Sequence, residues 1–151
     1  MHKHIALEFS KVLRSGTYKQ GQGYLCQVVV VTDTDNEIRE ERHCCLGVLT
    51  EMAIKAGVPI EKEKHQALPV EGIYMFLDVL HVEGIYEFLD ESGCGWNNTL
   101  PTLVQEWAGM KNSNGGGCYN NENNALWRDN DNSLCTFEQI ADIVDTHWQE
   151  L

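Results

Sequence analysis

Nine residues, Tyr24 to Thr32 (YLCQVVVVT), set the strongest limit on how this chain folds. Four consecutive valines are stiff at χ1 and pack well on a pleated surface. A β-rich run of this length between turn signals reads as a central strand. The TDTDNE stretch that follows has turn chemistry, and Glu37 to Arg42 is expected to return as the second strand of a hairpin.

Helices are expected on both sides of that hairpin. Ile5, Phe9, Val12 and Leu13 recur at helical spacing over residues 5–15, and Gly16 is placed to end the helix. Between it and the strand lies GTYKQGQGY, three glycines among polar and aromatic residues, read as loop or irregular strand. Cys44 to Ala56 reads as a second helix with Cys45, Val48, Leu49, Met52 and Ala56 as its buried stripe, stopped by Gly57 and Pro59. Gly47 within it costs about 1 kcal/mol relative to alanine. The expected return is close approach of another backbone, suited to packing on the Val28–Val31 strand.

A third helix is expected from Leu100-Pro101 to Gly109, with Pro101 at its first position and Leu103, Val104 and Trp107 on its path. Residues 111–124 (KNSNGGGCYNNENN) read as a loop too polar to pack. Thr136 and Gln139 form a capping box for a last helix, which Phe137, Ile140, Val144 and Trp148 line on one face.

The middle holds a repeat: VEGIYMFLD at 70–78 returns as VEGIYEFLD at 82–90, eight of nine residues matching at a step of 12. An even step gives two strands the same facing, whereas on a helix it advances about 120° and changes face. A strand pair is therefore favoured. Two copies are too few for a solenoid, so a local duplication without new function is expected. Strands and helices mix without βαβ alternation. The expected fold is α+β, one small domain over residues 1–151 in which a short, mainly antiparallel sheet is packed by three to four helices.

The formal charge is −12, from 11 basic and 23 acidic residues, which argues against a nucleic-acid partner held by a broad basic surface. The basic residues are unevenly placed: residues 1–28 carry Lys3, Lys11, Arg14 and Lys19 against Glu8 alone. An anion would be drawn to that end. No apolar run approaches the roughly 18 residues of a membrane-spanning helix, and the N-terminus has no continuous apolar stretch like that of a secretory signal. The expected location is the cytoplasm, and the six cysteines (Cys26, Cys44, Cys45, Cys94, Cys118, Cys135), with no CxxC pair, are expected to stay reduced.

Five groups of residues invite chemistry. In RSGTYKQGQGY, Arg14 and Lys19 offer charge, Gly21 and Gly23 offer backbone donors, Gln20 lies between them, and Tyr18 or Tyr24 could stack on a base. The spacing matches neither a Walker nor a dinucleotide-binding loop, and the bland alternative is a tight connection. His43-Cys44-Cys45 at a helix start could lower a thiol's pKa and make a nucleophile; small residues packing helix on sheet is the preferred reading. Asp129-Asn130-Asp131-Asn132-Ser133 imitates a calcium loop but has Leu134 and Ile140 where glycine and glutamate belong, so a turn capping the last helix is expected. His2 and His4 fall short of the three or four fixed ligands a metal needs. Trp127 beside Arg128 is the tryptophan best placed to stack on a ligand.

Several of these segments resemble a family of small phage, prophage and bacterial proteins. Its members carry RSG-x-Y-x-Q-G-x-G-x-L, here Arg14 to Leu25, then CCLGVL, here Cys44 to Leu49. LP-x-x-V-Q-x-W-x-G follows, here Leu100 to Gly109, and an LND-type turn and an F-x-x-IAD segment close the chain, here Asp129 to Asp131 and Phe137 to Ile143. The departures are the 70–90 duplication and WRDNDNS in place of a shorter turn. The resemblance implies a setting rather than an activity: an accessory protein of phage type that blunts host defence.

The expected function is non-catalytic binding and sequestration of a small phosphorylated ligand, a nucleotide immune signal, with no cofactor and no metal. Its ligand-binding residues would be Arg14, Tyr18, Lys19, Gln20, Gly21, Gly23, Tyr24 and Trp127. Two alternatives stand beside it: an acidic inhibitor that binds a host protein, and an enzyme using Cys44. The apolar faces of the first and last helices, with Trp148, also allow a homo-oligomer.

Overall fold

A computed structural model gives the structure, described for residues 1–33, 36–66, 79–119, 122–132 and 135–151. Helix α1 (Lys3–Arg14) leads through the short strand β1 (Lys19–Gln20) to the hairpin β2 (Cys26–Asp33) and β3 (Asn36–His43). Helix α2 (Cys45–Lys55) follows, then β4 (Glu61–Gln66), β5 (Val79–Leu89) and β6 (Gly95–Trp96). The chain closes with α3 (Thr102–Ala108), the hairpin β7 (Gly116–Tyr119) and β8 (Glu122–Ala125), α4 (Leu126–Asp131) and α5 (Phe137–His147).

The fold is α+β. The main sheet runs β1-β3-β2-β5-β4, with β6 pairing β5, and every pairing is antiparallel except β1 with β3. The valine run is central as expected, flanked by β3 and β5, and Val28 to Val31 are buried on both faces of the sheet. The hairpin folds back in one unbroken register that sets Cys26 opposite His43 and Val28 opposite Glu41.

The main core lies where helices cover one sheet face and joins Phe9, Leu25, Leu46, Leu49, Phe88, Val104 and Ile140. Val29, Val31 and Val82 form a second cluster, since alternate residues of a strand face opposite ways. Helix α1 buries Ile5, Ala6, Phe9, Ser10 and Leu13 and packs along α5. In α5 the capping box of Thr136 and Gln139 is present in both directions. Helix α2 buries far more than a stripe: Cys45 to Thr50, Met52 and Ala53 are all buried, while Ala56 is exposed. Gly47 is where α2 touches the sheet layer. A Cβ there would overlap the Leu25 carbonyl, so the close approach occurs one residue before β2 begins.

Several expectations are corrected. Residues 111–124 are not all loop, because β7 and β8 pair as a separate two-stranded hairpin. The capping turn expected at 129–133 begins instead with α4, and Pro101 is the residue before α3 rather than its first helical position. Trp148 is half-buried against the core, and its carbonyl accepts from the Met1 amino group at 2.9 Å. The second repeat copy is strand β5, extended as expected, whereas the 70–78 copy lies outside the described residues. Among the described residues, no helix is long and apolar enough to cross a membrane.

Candidate functional site

The glycine-rich segment after α1 is held in place by the far end of the chain. Asn130, fully buried, donates to the Gly21 carbonyl at 2.8 Å and accepts from the Cys45 N–H at 3.2 Å and from the Gln20 amide at 3.1 Å. The Gln20 amide also donates to the Cys135 carbonyl at 2.7 Å, and its oxygen accepts from the Phe137 N–H at 3.0 Å. The Gly23 N–H donates to Asp131 at 3.1 Å. Gly21 lies so close to Arg42 that a Cβ would crowd it. Gln20 and Gly21 are thus committed to structure, since buried polar groups require partners.

The two cations expected to grip phosphate do not converge. Because α1 packs on α5, Arg14 meets acids presented by that helix, Asp142 at 2.5 Å and Asp145 at 2.8 Å. Lys19, on β1, pairs with Glu40 of the neighbouring β3. Tyr24 is half-buried, and none of the described clefts includes it. The remaining predicted residues divide between two clefts. Gly23 and Trp127 line one of about 280 Å³ together with Cys44, Asn98, Thr99, Asn114 and Asp131. Burial raises the Asp131 carboxyl against the lowering effect of the hydrogen bonds from Asn130 and Gly23. Tyr18 lines the other.

That second cleft, about 320 Å³, lies between α1, the loop after it, α2 and α3, and is lined by Glu8, Val12, Thr17, Tyr18, Met52, Lys55, Ala56 and Trp107. The Lys55 ammonium donates to the Tyr18 hydroxyl at 2.7 Å and lies 5.0 Å from the ring centroid. The hydroxyl hydrogen bond raises the Lys55 pKa, outweighing desolvation. Among the described residues no carboxylate is within ion-pair distance of Lys55, unlike Arg14 and Lys19. Lys55 carries no local motif, and Trp107, the tryptophan of the Leu100–Gly109 segment, reads there only as part of a helix. They become visible as partners only once α2 and α3 are placed beside Tyr18.

The Tyr18 and His43 rings meet edge to face, 4.9 Å between centroids, and His43 belongs to a cluster of ionisable side chains. His43, 3% exposed, sets its Nε2 3.3 Å from Glu41 and 3.4 Å from Glu51. Lys62 reaches across the sheet from β4 to place its ammonium 2.8 Å from Glu41 and 2.7 Å from Glu51, and 4.2 Å from the Tyr86 ring centroid. Burial would raise the Glu51 carboxyl, but hydrogen bonds from His43 and Lys62 outweigh it and hold the group at about 2. Cys26 Sγ completes a set in which Cys26, Glu41, His43 and Glu51 offer ligand atoms all within 4.8 Å of one another. This cluster was missed in the sequence, although a symmetric hairpin places Cys26 opposite His43.

The cysteines at the start of α2 are buried, as the preferred packing reading has it, rather than placed as the alternative nucleophile would need. Cys44 is buried, its sulfur accepts from the Gly47 N–H at 3.4 Å, and burial pushes its thiol up to about 12. Burial also raises Cys45 and Cys26. A helix start lowers a thiol pKa where solvent and cations reach it. Here desolvation dominates.

The sequence pattern of a family described as Domain of unknown function (DUF8296) matches residues 1–148. Neither a curated protein nor a solved structure matches the chain.

Proposed function

We propose, from the premise that the chain belongs to the DUF8296 family, that it binds a small phosphorylated ligand of nucleotide type in the Tyr18–Lys55–Trp107 cleft. The observation that carries this reading is the Lys55 ammonium, facing a cleft beside two aromatic side chains with a neutral hydroxyl as its partner. A phosphate gains most from a cation that is not already neutralised, because charge-assisted hydrogen bonds are about twice as strong as neutral ones. Tyr18 and Trp107 offer faces for a base, and Glu8 at the rim can accept from ribose hydroxyls or base N–H groups. The binding is read as sequestration, with no bond made or broken. In the phage-like setting that the sequence resemblance implies, the ligand would be a nucleotide signal.

Calorimetry against cyclic di- and trinucleotides and cyclic ADP-ribose isomers tests the proposal. We expect heat with at least one of them, and a loss of about tenfold or more in affinity for Lys55→Met, equivalent to about 1.4 kcal/mol. Arg14→Gln and Trp127→Ala, outside this cleft, should bind as the unaltered protein does. No heat with any nucleotide, or loss on Trp127→Ala with Lys55→Met unaffected, would remove the reading.

A further inference from the structure

We propose that Cys26, Glu41, His43 and Glu51 form a site for a zinc-class divalent cation, for which the Lys62 ammonium stands in when metal is absent. The four donors come from β2, β3 and α2, three elements fixed by the hairpin register and by the packing of α2 on the sheet. A tetrahedral ion with bonds of about 2.0–2.3 Å holds its ligand atoms about 3.3–3.8 Å apart. The present separations, all within 4.8 Å, need to contract by about 1.5 Å at most. One thiolate, one imidazole and two carboxylates form a mixed soft and hard set, which favours zinc or cobalt over magnesium or calcium.

Charge supports the same assignment. With a protonated thiol, two carboxylates and the Lys62 ammonium, the cluster carries one net negative charge beneath the helix layer. Binding a divalent ion through a neutral imidazole converts Cys26 from S–H to metal-bound thiolate and releases one proton to solvent. Two carboxylates, one thiolate, one ammonium and the ion then sum to zero. Lys62 can yield its place because it stems from an edge strand and its side chain keeps 21% exposure, and Glu41, at 39%, opens the path to solvent. Withdrawn by a bond length or two, its ammonium can still donate to the outer carboxylate oxygens, as groups that hydrogen-bond to metal ligands do.

Titration of the metal-free protein with Co²⁺ tests this, using the thiolate-to-cobalt absorption in the near ultraviolet. We expect one Co²⁺ per chain with that band, one proton released per ion in weak buffer, and displacement of the band by Zn²⁺. Cys26→Ser should abolish the band and His43→Gln should weaken binding. Lys62→Met should bind about tenfold more tightly, because a positive charge no longer competes. A band that survives Cys26→Ser would place the metal elsewhere, on Cys94 or the terminal histidines for example, and overturn the assignment. So would the absence of a band in both the unaltered protein and Lys62→Met. Should Lys62→Met fail to fold by circular dichroism, the unaltered protein and Cys26→Ser still decide.

Discussion

Asn130 donates its side-chain amide to the carbonyl of Gly21 at 2.8 Å, joining positions 109 residues apart. Its oxygen meanwhile accepts from the Cys45 N–H at the start of α2, so one fully buried side chain fixes the glycine-rich loop, α2 and α4 together. Asn130→Ala strands a buried donor and a buried acceptor, each worth about 1–3 kcal/mol. We expect a loss of about 3 kcal/mol in urea denaturation, with the m-value unchanged. A loss below about 1 kcal/mol would show that water replaces the amide.

Gly47→Ala brings a Cβ into the Leu25 carbonyl, a backbone atom that cannot turn aside. The expected cost is about 3 kcal/mol or more. Gly57→Ala is the contrast. Gly57 has φ +91° and open space around its Cβ position, so only the left-handed backbone is penalised, by about 1–2 kcal/mol. Thermal unfolding of the two variants side by side should rank them in that order.

Glu51 makes stability depend on acid. Its carboxyl titrates near 4.5 when unfolded and at about 2 in the fold, so the folded state binds fewer protons between those values. The resulting stability is fully present above about pH 5 and is lost as pH falls towards 2. Glu51→Gln should therefore unfold about 3 kcal/mol more easily at pH 7, and the gap should close across that acid range. A gap constant from pH 5 to pH 2 would mean that the hydrogen bonds from His43 and Lys62 contribute little.

Thiol labelling of the native protein at pH 7 should reach Cys94, which is exposed, well before Cys26, Cys44 or Cys45, which are buried. Denaturant should bring all four to comparable rates. Mass spectrometry of the labelled peptides reads the order. Early labelling of Cys44 would revive the nucleophile suggested by its place at the start of α2.

Much of the fold was legible because it rests on local chemistry. The valine run could go nowhere but the sheet interior, Thr136 and Gln139 announced α5, and Gly47 foretold a backbone contact. The polar 111–124 stretch misled because its β7–β8 hairpin rests on paired backbone groups, which side-chain polarity does not report. The site was read less well for a physical reason. Arg14 and Lys19 look like a basic island along the chain, yet in space each lies against acids from segments that sequence order keeps apart, Asp142 and Asp145 for one and Glu40 for the other. Lys55 and Lys62, unremarkable in their own neighbourhoods, gain their surroundings from packing.

The edge-on contact between Tyr18 and His43 governs how mutants of this protein are to be chosen. One aromatic ring is a party wall: the Lys55 ammonium lies 5.0 Å from its centroid, and the imidazole of His43 meets it edge to face at 4.9 Å. Deleting that ring would disturb two rooms at once, and any defect seen would have no unique address. Tyr18→Phe removes the hydroxyl that engages Lys55 and leaves the wall standing, so it is the substitution that keeps the two neighbourhoods separable.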